Sequence, residues 1–139
     1  MAEYDLQGET QAAIALAPVS IATDTTTAGL IIDTLGYESI MFAMITGVLT
    51  DGDYLAVLHD GDTSNLADAA VVSGDDLLGT LPNFDADTDD ATVGRFGYRG
   101  KKRYVRVSVT SSSTSTGALV AVLATLGHPK TVPVAAQTP

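Results

Sequence analysis

The chain has 139 residues, is 45% hydrophobic and only 17% charged, which excludes wholesale disorder and fits one domain with a core of its own. It has no cysteine, so disulfides, thiolate zinc sites and cysteine nucleophiles are excluded. Seventeen acids against seven bases give a net charge of −10, the reverse of a nucleic-acid binder's balance, and no nucleic-acid partner is expected.

The first residues, Met1 to Glu9, have neither a basic start nor a long apolar stretch, so no secretory signal is expected. Residues 10–17 precede Pro18 and fit either a short helical turn or an extended arm. Residues 1–18 are therefore read as an N-terminal arm. Helix signals are poor throughout, because Thr, Gly, Asp and Val are abundant and all are weak helix formers. Strand signals recur instead, over Leu30–Leu35, Ser39–Val48, Tyr54–His59, Ala69–Val72, Ala91–Tyr98, Arg103–Thr110 and Gly117–Leu126, with a weaker one over Asp75–Thr80. The breaks are Gly36, Thr50–Asp53, Asp60–Asn65, Ser73–Asp76, Pro82–Asp90, Gly100–Lys102 and Ser111–Thr116. Short antiparallel strands separated by polar turns predict an all-β fold: a single-domain jelly roll or β-sandwich over residues 19–127. Residues 128–139 carry three prolines and are read as an extended C-terminal arm.

The strands differ in pattern. In Arg103–Val109 the valines at 105, 107 and 109 share one side and Tyr104, Arg106 and Ser108 the other, as in a strand with one wet face. Ile40–Ile45 and Ala118–Ala124 are apolar on both sides. Both apolar runs fall short of the roughly 20 residues that span a bilayer as a helix, so no membrane partner is expected. A small two-layer domain buries one face of each strand. The second apolar faces therefore predict a subunit contact and a homodimer or homotrimer held partly by Ile40–Ile45 or Ala118–Ala124.

Charge is split along the chain. All acids lie between Glu3 and Asp90, all bases between Arg95 and Lys130, and six of the seven bases fall between Arg95 and Arg106. Such asymmetry reads either as internal neutralisation or as a docking strip for an acidic surface. Arg99, Lys101 and Lys102 sit at a predicted turn and are the expected partner-binding residues. Arg103 and Arg106 are expected to pair with acids of neighbouring strands.

No pattern marks catalysis. His59 adjoins Asp60, but neighbouring strand residues point to opposite faces and no third member is marked. His128 stands before Pro129 in the tail, a poor place for a preorganised group. Asp85–Asp90 begins like a calcium loop, yet Asp90 and Phe96 stand where the loop needs glycine and glutamate. Asp51–Asp53 and Asp60–Asn65 read as turns first. There is no G-x-S-x-G elbow and no P-loop. The expectation is a protein that is not an enzyme and has no cofactor and no metal.

The segment Phe96–Val109, the closing strand to Leu126-Gly-His-Pro129, and upstream Leu35–Ser39, Gly47–Asp53 and Asp75–Gly79 together resemble a family of small tailed-bacteriophage head proteins, over about residues 28–130. Some members are capsid decoration, or cement, proteins with a jelly-roll fold. The resemblance implies a non-enzymatic protein of the virion, made in the host bacterial cytoplasm. It implies docking on the outer surface of the assembled head, where the protein stabilises contacts between major capsid protein subunits. The alternatives are another virion component, such as a neck, tail or spike-base protein, or a carbohydrate- or receptor-binding jelly roll. The last is weakened by an aromatic content of 6% without tryptophan, which leaves little for sugar stacking.

Overall fold

Alternation of apolar and polar side chains gives a strand one side to bury, and two such sheets bury each other. The computed structural model of the chain describes residues 2–85 and 87–135. Its strands are β1 Thr10–Ile21, β2 Thr26–Ala28, β3 Ile32–Asp33, β4 Tyr37–Leu49, β5 Asp53–Gly61, β6 Ala70–Val71, β7 Leu77–Leu78, β8 Asn83–Phe84, β9 Val93–Tyr98, β10 Tyr104–Ser112 and β11 Ala118–Pro129. Short 3₁₀ turns cover Gly74–Asp76 and Asp87–Asp89. The first sheet, A, has the order β1-β11-β4-β9-β7. The second, B, has the order β2-β10-β5-β6, with β3 also paired to β10 and β8 to β5. All pairings are antiparallel. The fold is the expected all-β antiparallel sandwich of the jelly-roll class.

One apolar layer lies between the sheets. Sheet A contributes Ile40, Phe42 and Met44 from β4, Val120, Val122 and Ala124 from β11, and Phe96 from β9. Sheet B contributes Val105, Val107 and Val109 from β10 and Tyr54, Ala56 and Leu58 from β5. The Phe42 and Phe96 rings stack across the β4–β9 pair, centroids 5.2 Å apart. Tyr54 is fully buried and donates its hydroxyl proton to the Asp51 carbonyl at 2.8 Å, so its one polar atom is satisfied in the core.

The expected arms are shorter than the sequence reading placed them. Residues 10–18 belong to β1, a full edge strand of sheet A paired along β11 from Thr10↔Gly127 to Ile21↔Ala118. Register shifts follow Ile14 and Leu16, and they put Ala15 and Leu16 inside consecutively, which hides the period-2 signal. Pro18 is tolerated because β1 is an edge strand. At the other end β11 runs to Pro129, so the tail starts after that residue. Residues 136–139 of the expected tail lie outside the described residues. Val134 N–H donates to the Gly8 carbonyl at 2.8 Å, which lays the tail beside the start of β1.

One long edge of the sandwich is sewn shut. Gly29 N–H donates to Val107 O of sheet B at 2.9 Å, and Leu30 N–H to Ala15 O of sheet A at 2.7 Å. A Cβ at Gly29 would collide with both of those carbonyl oxygens, so only glycine lets the backbone pass between the sheets. Replacing Gly29 by Ala should therefore force the seam apart and lower unfolding free energy by about 2 kcal/mol, read by urea denaturation. The same change at Gly74, where a Cβ meets nothing within 4 Å, should leave the midpoint nearly unchanged.

Candidate functional site

The two strands apolar on both sides, β4 and β11, are neighbours at the middle of sheet A. Their outer positions form rows with β1, β9 and β7. One row is Ala12–Thr125–Met41–Gly97–Leu78, the next Ile14–Leu123–Ala43–Arg95, and a third Ala121–Ile45–Val93. Ile14, Leu119, Leu123, Ile45, Val93 and Leu78 are all exposed, from 38% for Ile45 to 60% for Val93. None of these positions holds a carboxylate, and Arg95 is the only charge among them. A carboxylate-free apolar face on a chain of net charge −10 is the surface on which water is least well satisfied. Met44, by contrast, is fully buried and faces the core.

At one end of this face a groove of about 790 Å3 crosses all five strands. Its floor is made by Met41, Thr125, Gly97 and Gly127, and its sides by Leu78 and Gly79 of the β7 edge and by His128, Pro129 and Val132 of the tail. Two mid-strand glycines keep the floor low. A Cβ at Gly97 would press on Leu78, and one at Gly127 on Ser39 Oγ. Glu9 borders one end, and Arg95 lies toward the other. Ser39 Oγ and His128 Nδ1 are hydrogen-bonded at 2.8 Å on the rim. The sequence reading missed this groove, since it depends on β1 and β7, which gave no clear strand signal. Gly97 and Gly127, glycines inside strands, were the available hint.

The basic strip is largely occupied within the molecule. Lys102 pairs with Asp62. Arg99 donates from Nε to the Asp75 carbonyl at 2.8 Å. Lys101 alone of the three expected partner-binding residues is exposed without an ion pair or side-chain hydrogen bond among the described residues. Arg103 pairs with Asp33 through two bonds of 2.8 and 2.7 Å and lies over the Tyr104 ring. That fork holds the Asp33 carboxyl below its usual range. Arg106 departs from the expected pairing with an acid: it stands opposite His59, and Arg106 Nε and His59 Nδ1 are buried without a hydrogen-bond partner among the described residues. Burial, then the Arg106 charge, pushes the His59 pKa down.

His59 and Asp60 are divided as alternation requires. Asp60 Oδ2 accepts the Tyr98 hydroxyl at 2.7 Å, and burial together with that carboxylate pushes the Tyr98 pKa up. Among the described residues no three His, Asp or Glu side chains gather closely enough to hold a metal ion, and no helix is long and apolar enough to cross a membrane. The carboxylates instead close turns. Asp51 accepts from the Ser115 hydroxyl and from the amides of Gly117 at 2.8 Å, Thr116 at 2.9 Å and Ser115 at 3.2 Å. Asp68 accepts from the Thr63 hydroxyl and from the amides of Asp62 at 2.8 Å and Thr63 at 3.2 Å.

Comparison of the chain with protein-family models, with curated proteins and with solved structures gives no match. The geometry itself defines the class: an antiparallel β-sandwich presenting a broad apolar sheet face and a groove.

The caged carboxylates set the acid response. The Ser115 hydroxyl, then the Gly117 amide, hold Asp51 well below the ordinary carboxylate range. The Thr63 hydroxyl first, then the Asp62 amide, lower Asp68 to about 2. A carboxyl with a lowered folded pKa adds stability that is complete above its unfolded value, about 4, and is lost as pH falls through the folded value. Thermal midpoints measured from pH 7 to pH 2 should therefore fall below about pH 4. The Asp51→Ala variant should start lower at pH 7 and fall less steeply.

Proposed function

We propose that the chain is a non-enzymatic capsid decoration, or cement, protein. It docks as a homodimer or homotrimer on the outer surface of an assembled phage head and stabilises contacts between major capsid protein subunits. The observation that carries this reading is the outer face of sheet A: apolar side chains on adjacent strands, no carboxylate and one cation in its three cross-strand rows, on an otherwise acidic body. Apolar faces of that breadth are buried against protein, and a rigid sandwich offers the shell a preformed surface. The residues that carry the family resemblance, Phe96–Val109, form part of β9, the basic turn and most of β10. A protein that binds the assembled shell and not its free subunits adds its binding free energy to the shell by mass action. Many copies each touching several subunits multiply the effect. The net charge of −10 keeps the free protein soluble before docking.

The test mixes purified protein with mature shells that lack it, then counts bound copies and follows the shell's melting temperature. Binding near one copy per capsid subunit with a raised melting temperature is expected. Binding at a single vertex points instead to a neck, tail or spike-base component. Leu123→Asp or Ile45→Asp should weaken docking at least tenfold, because each removes roughly 1.5 kcal/mol or more of apolar burial. Neither should unfold the sandwich, whereas Met44→Asp places a carboxylate in the core. Lys101→Glu should reduce docking at low salt with little effect at high salt, where screening removes its contribution. The corresponding change at Lys102 would also break its pair with Asp62.

A further inference from the structure

The groove on sheet A and the segment just before β1 have complementary shapes and chemistry, and we infer that residues 2–7 of one copy lie in the groove of the next. This rests on the oligomer proposed above and names its contact: an arm of one chain in a cleft of another.

The length suits an extended chain. Five strands about 4.8 Å apart make the groove about 19 Å long. An extended peptide rising about 3.3 Å per residue fills that length with about six residues.

The arm has the matching pattern. In Ala2-Glu-Tyr-Asp-Leu-Gln7, extended backbone would put Tyr4 and Leu6 on one side and Glu3 and Asp5 on the other; in the single chain Leu6 N–H donates to Tyr4 O at 3.1 Å and Gly8 N–H to Asp5 Oδ1 at 2.8 Å, so the segment is bent there and straightens on entering the groove. Tyr4 is 92% exposed and Leu6 71% exposed, and neither lines the groove of its own chain. The base of the arm is pinned. Thr10 Oγ1 donates to Leu6 O at 2.8 Å, Glu9 N–H donates to Leu6 O at 3.3 Å, and Gly8 O accepts from Val134 at 2.8 Å. Tyr4 and Leu6 are thus exposed apolar side chains on an acidic arm, and the groove is largely apolar, with Arg95 toward one end and Glu9 at the other. Arg95 has no ion pair among the described residues and is the counter-charge for Glu3. A second copy is favoured over an unrelated partner because this chain itself supplies a segment of the right length and alternation, with an acid for Arg95.

Such a contact is heterologous, each copy giving one arm and accepting one, so a suitable rotation closes it into a ring. The test uses the full chain. Sedimentation velocity over 1–100 µM compares the wild type with an arm variant, Tyr4→Asp with Leu6→Asp, and a groove variant, Leu78→Asp. Thermal midpoints confirm that each variant folds, and Val71→Asp, an exposed position on sheet B, is the control. The wild type should associate, each variant should associate at least tenfold more weakly, and the control should match the wild type. Mixing the two variants should give a one-to-one dimer and nothing larger, since that mixture holds one working arm and one working groove. A wild type that stays monomeric at 100 µM, an arm variant that assembles as well as wild type, or variants that do not complement each other would overturn the inference. Shell binding measured on the same variants separates the two proposals: an arm variant that decorates shells as well as the wild type leaves the decoration reading standing and removes this one.

Discussion

Everything in this molecule is arranged around a single dry layer between two sheets. Val105, Val107 and Val109 occupy one side of it, Phe42, Met44, Val120 and Val122 the other. A strand spends alternate residues on that layer, so whatever chemistry the surface carries is written in the remaining half. On sheet B the remaining half of β10 is Tyr104, Arg106, Ser108 and Thr110, a polar face. On sheet A it is Met41, Ala43 and Ile45 from β4 with Leu119, Ala121 and Leu123 from β11. On β5 Leu55, Val57 and His59 also turn outward, so the two faces differ in degree, and the broader apolar one is that of sheet A.

The excess of acid acquires a use in this arrangement. Asp51 gathers the 115–117 backbone, Asp68 ties the 62–63 turn, Asp90 accepts the Leu49 amide at 2.6 Å, and Asp24 accepts the Thr114 amide at 2.7 Å. These carboxylates satisfy amides that no strand partner reaches, in loops too short for regular pairing. The negative charge is therefore concentrated at strand ends, away from the middle of sheet A. Charge and apolar surface are sorted by the same topology: strands carry the apolar face, and loops carry most of the acids, all but Asp33, Glu38, Asp53 and Asp60.

Much of this was legible in the residues. Alternation along Arg103–Val109 marked β10, and the continuous apolar runs of β4 and β11, bounded by turn residues, marked two further strands. The shorter strands were legible in part: β3, β6 and β7 fall within Leu30–Leu35, Ala69–Val72 and the weaker Asp75–Thr80, whereas β2, three residues long, exists because it pairs with β10. Asn83–Phe84 of β8 fell in a stretch read as a break, and it forms a strand through Tyr54 and Leu55. β1 was hidden by its own register shifts. The pairing of the basic strip was equally out of reach, since Arg103 and Lys102 meet acids 70 and 40 residues away. The groove combines several of these blind spots, being built from β1, β7, the tail and two glycines.

The seam at Gly29 has a further consequence for how the sandwich breathes. One long edge is laced by backbone bonds from the same short segment to both sheets. The opposite edge ends in β6 and β7, two residues each. That side is tied within each sheet, Val72 N–H to Leu58 O and Arg99 N–H to Asp76 O, both at 2.9 Å, and across the sheets by the Tyr98 hydroxyl on Asp60, while β7 itself pairs with β9 alone. Because β7 is also one bank of the groove, the cleft has a long-stranded floor and one short bank. A chain lying in the cleft would therefore rest on long central strands and lean, at Leu78 and Gly79, on an edge strand of two residues whose neighbour Leu77 anchors it to the core.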